Sequence, residues 1–217
     1  MTVTVGWVDG GTVRGEFTEA VTQLAAYEAV KGRLVSIVRV YSGPLLEEGR
    51  NRLVEKMLTS PAEWLLMIDT DMTFDYDAAE RLTATAEDLN VKVVGGLAFG
   101  VNDTIGAFPT TYQRVDGMPT AILTPPDGPA DVDATGAAFL LTHRSVFEDY
   151  RRDEYHPWFH RRFTPSNGDH RGGWLGEDIS WCFWLRDKDV RIVVDPAVQV
   201  GHVKAVTLDS SNYRRAQ

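Results

Sequence analysis

The sequence predicts an α/β protein, a mixed and mostly parallel sheet flanked by helices, and three observations carry that expectation. Apolar runs rich in β-branched residues alternate with helix-periodic stretches through the first half, the order that builds a parallel sheet covered by helices. Hydrophobic residues make up 43% and charged residues 24%, the usage of an ordinary globular chain rather than a fibrous or disordered one. A chain of 217 residues buries roughly 70% of its unfolded surface on folding, enough for a full core without staples.

Strands are expected at residues 2–8, 34–41, 64–68 and 91–97. Between the first two, Val21, Leu24, Ala25 and Ala29 recur at three- and four-residue intervals, which predicts a helix over 17–30. Leu53, Val54, Met57 and Leu58 mark a second over 47–58, and Leu82, Ala86 and Leu89 a third over 77–89. Asp77, with Glu80 three residues on, is placed to cap that third helix. In the second half, residues 111–123 read as short strands around the Asp116-Gly117 turn, 124–131 as a proline- and glycine-rich loop, and 138–141 as an apolar strand. Residues 150–173 are polar and aromatic with two prolines, which predicts a long irregular loop of the kind usually kept for function. A helix over 177–188 and a strand over 190–194 follow, and from Lys204 the chain is polar.

The 31 acidic residues against 22 basic ones leave a formal net charge of −9. That field repels a nucleic-acid backbone, so no nucleic-acid partner is expected, and an anionic ligand needs a metal ion or local basic residues beside it. The single cysteine, Cys182, excludes an internal disulfide and a zinc site built on several cysteines. The opening MTVTVGWVDGG has neither the basic start nor the apolar core of a signal peptide. The apolar runs fall far short of the ~20 residues of a membrane span. A cytoplasmic protein without a membrane span is expected.

Local chemistry is strongest where the third strand ends. Trp64-Leu65-Leu66-Met67-Ile68 runs directly into Asp69-Thr70-Asp71-Met72-Thr73, and in an open parallel sheet ligands bind beyond the carboxyl ends of the strands. Two carboxylates two residues apart share a side in extended chain. Paired hard oxygens suit Mg²⁺ or Mn²⁺, and such a metal can grip a diphosphate. An EF-hand loop is excluded, because Phe74 stands where that loop requires glycine and a strand precedes it where a helix should. The local signal leaves open a haloacid-dehalogenase-like phosphatase, with its strand-then-DxDxT start and Asp69 as nucleophile. It leaves open equally the DxD motif of a metal-dependent glycosyltransferase, or a non-catalytic module that only binds a nucleotide sugar.

Further along, Gly172-Gly173-Trp174-Leu175-Gly176-Glu177-Asp178 opens a helix whose positive end favours carboxylates. A strand then returns through Asp195-Pro196 to Gly201-His202. Asp69-Thr70-Asp71, Gly176-Glu177-Asp178, Asp195-Pro196 and His202, in that order, resemble the GT-A glycosyltransferases, especially the small single-domain family-2-like enzymes. Arg50-Asn51-Arg52-Leu53-Val54, before the DxD strand, is similar to that family too, as is Asp133-Ala134-Thr135-Gly136-Ala137-Ala138-Phe139-Leu140-Leu141. The resemblance covers roughly residues 1–203. It implies the Rossmann-like GT-A fold in a single domain over 1–217, with a nucleotide-binding half at about 1–105, an acceptor half at about 106–203 and a polar tail at 204–217.

The resemblance implies roles as well. The donor is a nucleoside-diphosphate sugar, UDP- or GDP-linked, and the acceptor a hydroxyl of a glycan, protein or small molecule. Asp71 ligates a divalent metal, Mn²⁺ or Mg²⁺, on the donor diphosphate, Asp69 contacts the donor ribose or the metal through water, Thr70 joins them, and His202 completes the metal site. Asp178 is the candidate base for the acceptor hydroxyl, which makes the hexosyl transfer inverting, and Glu177 orients it or touches the donor sugar. The nucleotide lies across Val8, Asp9 and Gly10, with Arg50 either within reach of its charge or a solvated helix residue. Gly96, with Gly95, lets the donor approach the backbone or only makes a turn. Trp174 is the candidate acceptor platform, and Gly136 belongs to the strand beside the acceptor site. Arg151, Arg152, Arg161, Arg162 and Arg171 stand among Tyr155, Trp158, Phe159 and Phe163. They read as a mobile acceptor lid, or as contact in a homo-oligomer, while Trp181 and Trp184 read as core or interface.

Overall fold

Trp64–Ile68 shows how the interior is divided. All five residues are buried, Leu65 and Met67 in one apolar cluster, Trp64, Leu66 and Ile68 in another. That is how a continuous apolar run packs when helices cover both faces of a sheet. The structure, a computed structural model, describes residues 1–102, 106–155, 157–166 and 172–205.

The first half runs β1 (Val3–Asp9), α1 (Gly15–Val30), β2 (Leu34–Tyr41), α2 (Leu46–Leu58), β3 (Trp64–Ile68), β4 (Met72–Thr73), α3 (Ala78–Asp88) and β5 (Val93–Asn102). Then come β6 (Gly106–Pro109), β7 (Thr111–Val115), β8 (Met118–Ala121), β9 (Ala130–Val132), β10 (Ala134–Thr135), β11 (Phe139–His143) and α4 (Arg144–Asp149). The last elements are β12 (Arg162–Thr164), β13 (Gly173–Leu175), α5 (Glu177–Arg186) and β14 (Ile192–His202). Main-sheet order is β2-β1-β3-β11-β5-β14-β4, with β6 on β5 and β9 on β14. β1 lies parallel to β2 and β3, and β5 parallel to β14. β11 runs antiparallel between β3 and β5: the α3 crossover leaves one strand's width, and the second half of the chain fills it. The sheet is therefore mixed, with α/β layers as the sequence predicts.

Phe17, Val21 and Leu24 of α1 and Leu82 of α3 pack with Val3, Val5 and Leu66 on one face. Leu53, Val54 and Met57 of α2 and Trp181 and Phe183 of α5 pack with Leu65, Met67 and Leu140 on the other. The β7–β8 hairpin turns at Asp116 and Gly117, whose φ angles of 51° and 81° are the positive pair that a tight hairpin requires.

Four expectations are corrected. Residues 150–173 are not a free lid along their length: Trp158 and Phe159 are core residues. Asn51 accepts from the Phe159 N–H and donates to its carbonyl, 2.8 Å each, and the Trp158 indole donates to the Phe147 carbonyl at 2.8 Å. The face between α2 and α5 needs those rings, so the middle of the segment is pinned; Arg171 lies outside the described residues. Asp77 occupies the N-cap position of α3 but makes no cap bond, because its carboxylate pairs with Arg81 at 2.8 Å. Residues 130 and 131, at the end of the expected loop, instead open the strand Ala130–Val132. β14 continues to His202 through an irregularity after Asp195, where the buried Asp195 carboxylate accepts from the Ala197 N–H at 2.9 Å and the Thr85 hydroxyl at 2.5 Å.

Candidate active site

The carboxyl end of β3 does not continue in extended form. The Met72 N–H donates to the Asp69 carbonyl at 3.2 Å, so Asp69-Thr70-Asp71 is a tight turn and its two carboxylates diverge. Three other segments hold that turn by backbone bonds. The Asp69 N–H donates to the Ala138 carbonyl at 2.9 Å, the Arg14 N–H to that of Thr70 at 3.1 Å, and the Val203 N–H to that of Asp71 at 2.8 Å.

Asp71 meets His202 because β4, which follows the turn, pairs antiparallel with the end of β14, setting Met72 opposite His202. The Asp71 Oδ2 lies 2.9 Å from His202 Nε2 and 3.2 Å from Lys204 Nζ. His202 Nδ1 lies 2.7 Å from the Phe99 carbonyl. A carbonyl only accepts, so Nδ1 carries a hydrogen. Nε2 is thereby the nitrogen turned to the carboxylate, an arrangement of imidazole and backbone carbonyl that also orients metal-ligating histidines. One carboxylate oxygen and one imidazole nitrogen side by side fit a divalent cation of the Mn²⁺ or Mg²⁺ kind. The third residue expected there, Asp69, is engaged elsewhere, and among the described residues no three His, Cys, Asp or Glu side chains gather into a cation-holding set.

Asp69 instead accepts from Arg50 Nη2 at 2.9 Å, while Arg50 Nη1 bonds Glu177 Oε1. Arg50 is only 3% exposed, so it is neither a solvated helix residue nor a free charge at a ligand surface. Desolvation pulls its guanidinium down, but Asp69, Asp178 and Glu177 together carry it above the ordinary arginine value. Burial pushes Glu177 up from the usual carboxylate range, against the pull of Arg50.

Asp178, half-buried in the first turn of α5, accepts from the Ile179 N–H at 2.7 Å and the Ala137 N–H at 3.3 Å. Gly136 stands beside it: a Cβ there would lie 3.7 Å from Asp178 Oδ2. Tyr112 faces the same space, its hydroxyl raised by burial and then by the Asp178 charge.

Two cavities large enough for a ligand flank Asp69. The first, about 500 Å³, is lined by Val8, Thr12, Val13, Arg14, Leu46, Asp69, Thr70 and Asp71. The second, about 260 Å³, adjoins Asp69, Phe99, Thr110, Tyr112, Gly136, Asp178 and His202 among others. Val8, Asp69, Thr70, Asp71, Asp178, Gly136 and His202 thus line one or the other of these cavities. Asp9 does not line either cavity. Its carboxylate accepts from Arg39 Nε and Nη2, at 2.6 and 2.7 Å, the Gly11 N–H at 2.7 Å and the Trp7 indole at 3.1 Å. Gly10 lies in the exposed loop that Asp9 holds. Gly96 is interior: a Cβ there would meet Val200 at 2.8 Å and Phe139 at 3.1 Å, so it is a packing glycine where β5 meets β14. Trp174 is 64% exposed on β13, edge-on to Phe163 at 5.5 Å and beneath the Arg161 guanidinium at 5.9 Å. Sequence reasoning missed Thr12, Arg14, Leu46, Thr110 and Tyr112, which no motif marks; only the adjacency of Lys204 to His202 hinted at its place.

This architecture is a GT-A-like fold, a mixed sheet flanked by helices with the acidic turn at its carboxyl edge. The protein A197 from STIV shares it with a TM-score of 0.62 at 15% identity, over 94% of this chain and 87% of that one. GalNAc-T7, solved with UDP, GalNAc and Mn²⁺, shares it with a TM-score of 0.62 at 12% identity, over 94% of this chain and 44% of that one. No protein-family model matches the chain, and no curated protein matches it. Among the described residues no helix is long and apolar enough to cross a membrane.

Proposed function

We propose that this chain is a metal-dependent glycosyltransferase, moving a hexosyl group from a UDP- or GDP-linked donor to a hydroxyl acceptor with inversion. The observation that carries the reading is the Asp69–Asp71 turn standing between two cavities, with His202 of β14 against Asp71 and Asp178 lining the second cavity. The fold shared with GalNAc-T7, whose structure contains UDP and Mn²⁺, supports it.

In this reading the nucleotide diphosphate occupies the larger cavity, against Val8, Thr12 and Arg14. Asp71 and His202 hold a divalent cation, which supplies charge stabilisation to the departing diphosphate. The acceptor enters the smaller cavity; Trp174 and Phe163, which do not line it, are proposed as an aromatic platform for the acceptor outside it. Asp178 takes the proton of the acceptor hydroxyl as that oxygen bonds to the anomeric carbon. The carbon–oxygen bond to the diphosphate breaks with its electron pair staying on phosphate. Asp69 is a poor candidate for a phosphatase nucleophile, since its carboxylate is paired with Arg50.

The test is a melting screen against UDP, GDP, CMP and dTDP, each with and without Mn²⁺. A ligand that binds only the folded state adds about 2.7 kcal/mol at a hundred times its Kd. A Mn²⁺-dependent rise with one nucleotide, lost in Asp71→Ala, is the expected result. A rise with Mg²⁺ alone and with no nucleotide would turn the reading towards phosphate-ester chemistry.

A further inference from the structure

Arg50 joins two motifs that the chain keeps far apart. It sits on the first turns of α2, where Gly49 lets the helix settle on the sheet: a Cβ at 49 would fall 2.4 Å from Val8 and 2.8 Å from Ser42. Gly6 of β1 does the same for the next turn of the helix, since a Cβ there would fall 2.4 Å from Leu53. With the helix this close to β1, the guanidinium passes into the site from below and leaves almost no surface of its own exposed. One nitrogen bonds Asp69 at 2.9 Å, the other bonds Glu177. Asp69 belongs to the turn that carries Asp71, Glu177 to the helix start that carries Asp178.

We propose that Arg50 is a positioning residue: it clamps the acidic turn to the start of α5 and so sets the placement of Asp178, in the acceptor cavity, relative to Asp71, without touching substrate. Two features of the surroundings make a single cation decisive. Asp69, Glu177 and Asp178 all act on Arg50 electrostatically, so without it three carboxylates face one another across a partly buried space. The two bonds also leave from different nitrogens of one planar group, a geometry that lysine's single ammonium does not reproduce. The clamp is built across the two halves of the sheet, since α2 precedes β3 while α5 follows β11.

The proposal rests on the transferase reading for its kinetic arm and stands apart from it in its stability arm. Arg50→Lys keeps the charge and is expected to fold, melting within a few degrees of the parent. Its kcat is expected to fall about 100-fold, the usual cost of a misplacement near 1 Å, while the donor KM changes less than about threefold. Arg50→Met is expected to melt well below the parent, and adding Glu177→Gln to restore part of that loss, because the second change removes the carboxylate left buried without a partner. Parent-like kcat in Arg50→Lys would overturn the proposal. So would a raised donor KM with unchanged kcat, the sign of direct donor contact. If the parent transfers no sugar from any donor, the transferase reading fails and the melting arm still decides the clamp: additive losses in Arg50→Met and Glu177→Gln refute it, and partial restoration upholds it.

Discussion

The two cavities on either side of Asp69 differ in how their walls are made. The larger, about 500 Å³, is built from neighbouring pieces of the first half: the loop after β1, the start of α2 and the turn after β3. The smaller, about 260 Å³, draws its walls from separate segments around Asp69, Phe99, Tyr112, Gly136 and Asp178, with His202 completing it. The first takes its walls from elements of the first half paired through β1 and β3, its turn braced by Ala138 and Val203, whereas the second takes its walls mainly from β11, α5 and β14 and their neighbours. A binding surface for a common ligand can rest on local structure; a reacting centre needs groups brought in from afar and held. In the proposed reading the larger cavity takes the nucleotide and the smaller the acceptor.

The strongest way to test that division is Asp178→Asn. A positioned general base contributes about 10²–10⁴-fold, so initial transfer rates are expected to fall by that factor while the nucleotide-dependent melting rise stays intact. Loss of the melting rise as well would merge the two cavities into one functional unit.

A pair of space-filling changes sharpens the comparison from both sides. Thr12→Trp is expected to abolish the nucleotide-dependent melting rise. Gly136→Val, beside Asp178, is expected to leave that rise and to lower transfer by at least about 10–200-fold, the scale on which a pocket rejects a single methylene, since valine adds three carbons. Crossed outcomes would reverse the assignment.

His202 touches the boundary itself. His202→Ala is expected to weaken Mn²⁺ affinity in the nucleotide-dependent rise by at least about 10-fold, since losing even an outer-shell partner of a ligand costs about 10–100-fold, read from metal titrations at fixed nucleotide. An unchanged titration would remove His202 from the cation site.

The smallest effect is expected away from both cavities. The Arg33 bonds, then the Tyr27 hydroxyl, hold Glu80 down at about 2 against an ordinary 4.5. A depressed carboxylate gives stability that is present above its unfolded value and lost as pH falls towards its folded one. Melting is therefore expected to drop between pH 4.5 and about 2, and Glu80→Gln to flatten that drop while melting slightly lower at pH 7. Glu80 is partly exposed, so solvent screening keeps the change small. Nucleotide response should be untouched, which separates general stability from cavity effects.

The sequence by itself determined the layers and the place of the acidic turn. Leu65 and Met67 alternate with Leu66 and Ile68 in a run that only a doubly covered strand accommodates, and carboxylates follow at once where that strand stops. Periodic apolar residues such as Val21, Leu24 and Leu53 likewise announce their helices, because these patterns are local. Tertiary structure alone decided the rest. It inserted β11 between β3 and β5, buried Trp158 and Phe159 in a stretch that reads as loop, turned Asp9 inward to Arg39, and left Gly96 as packing. It also set Arg50 between Asp69 and Glu177. No pattern of spacing encodes that meeting, since it depends on how closely a helix with Gly49 at its start can settle on the strand carrying Gly6, and on which charges then remain within reach of a guanidinium out of water.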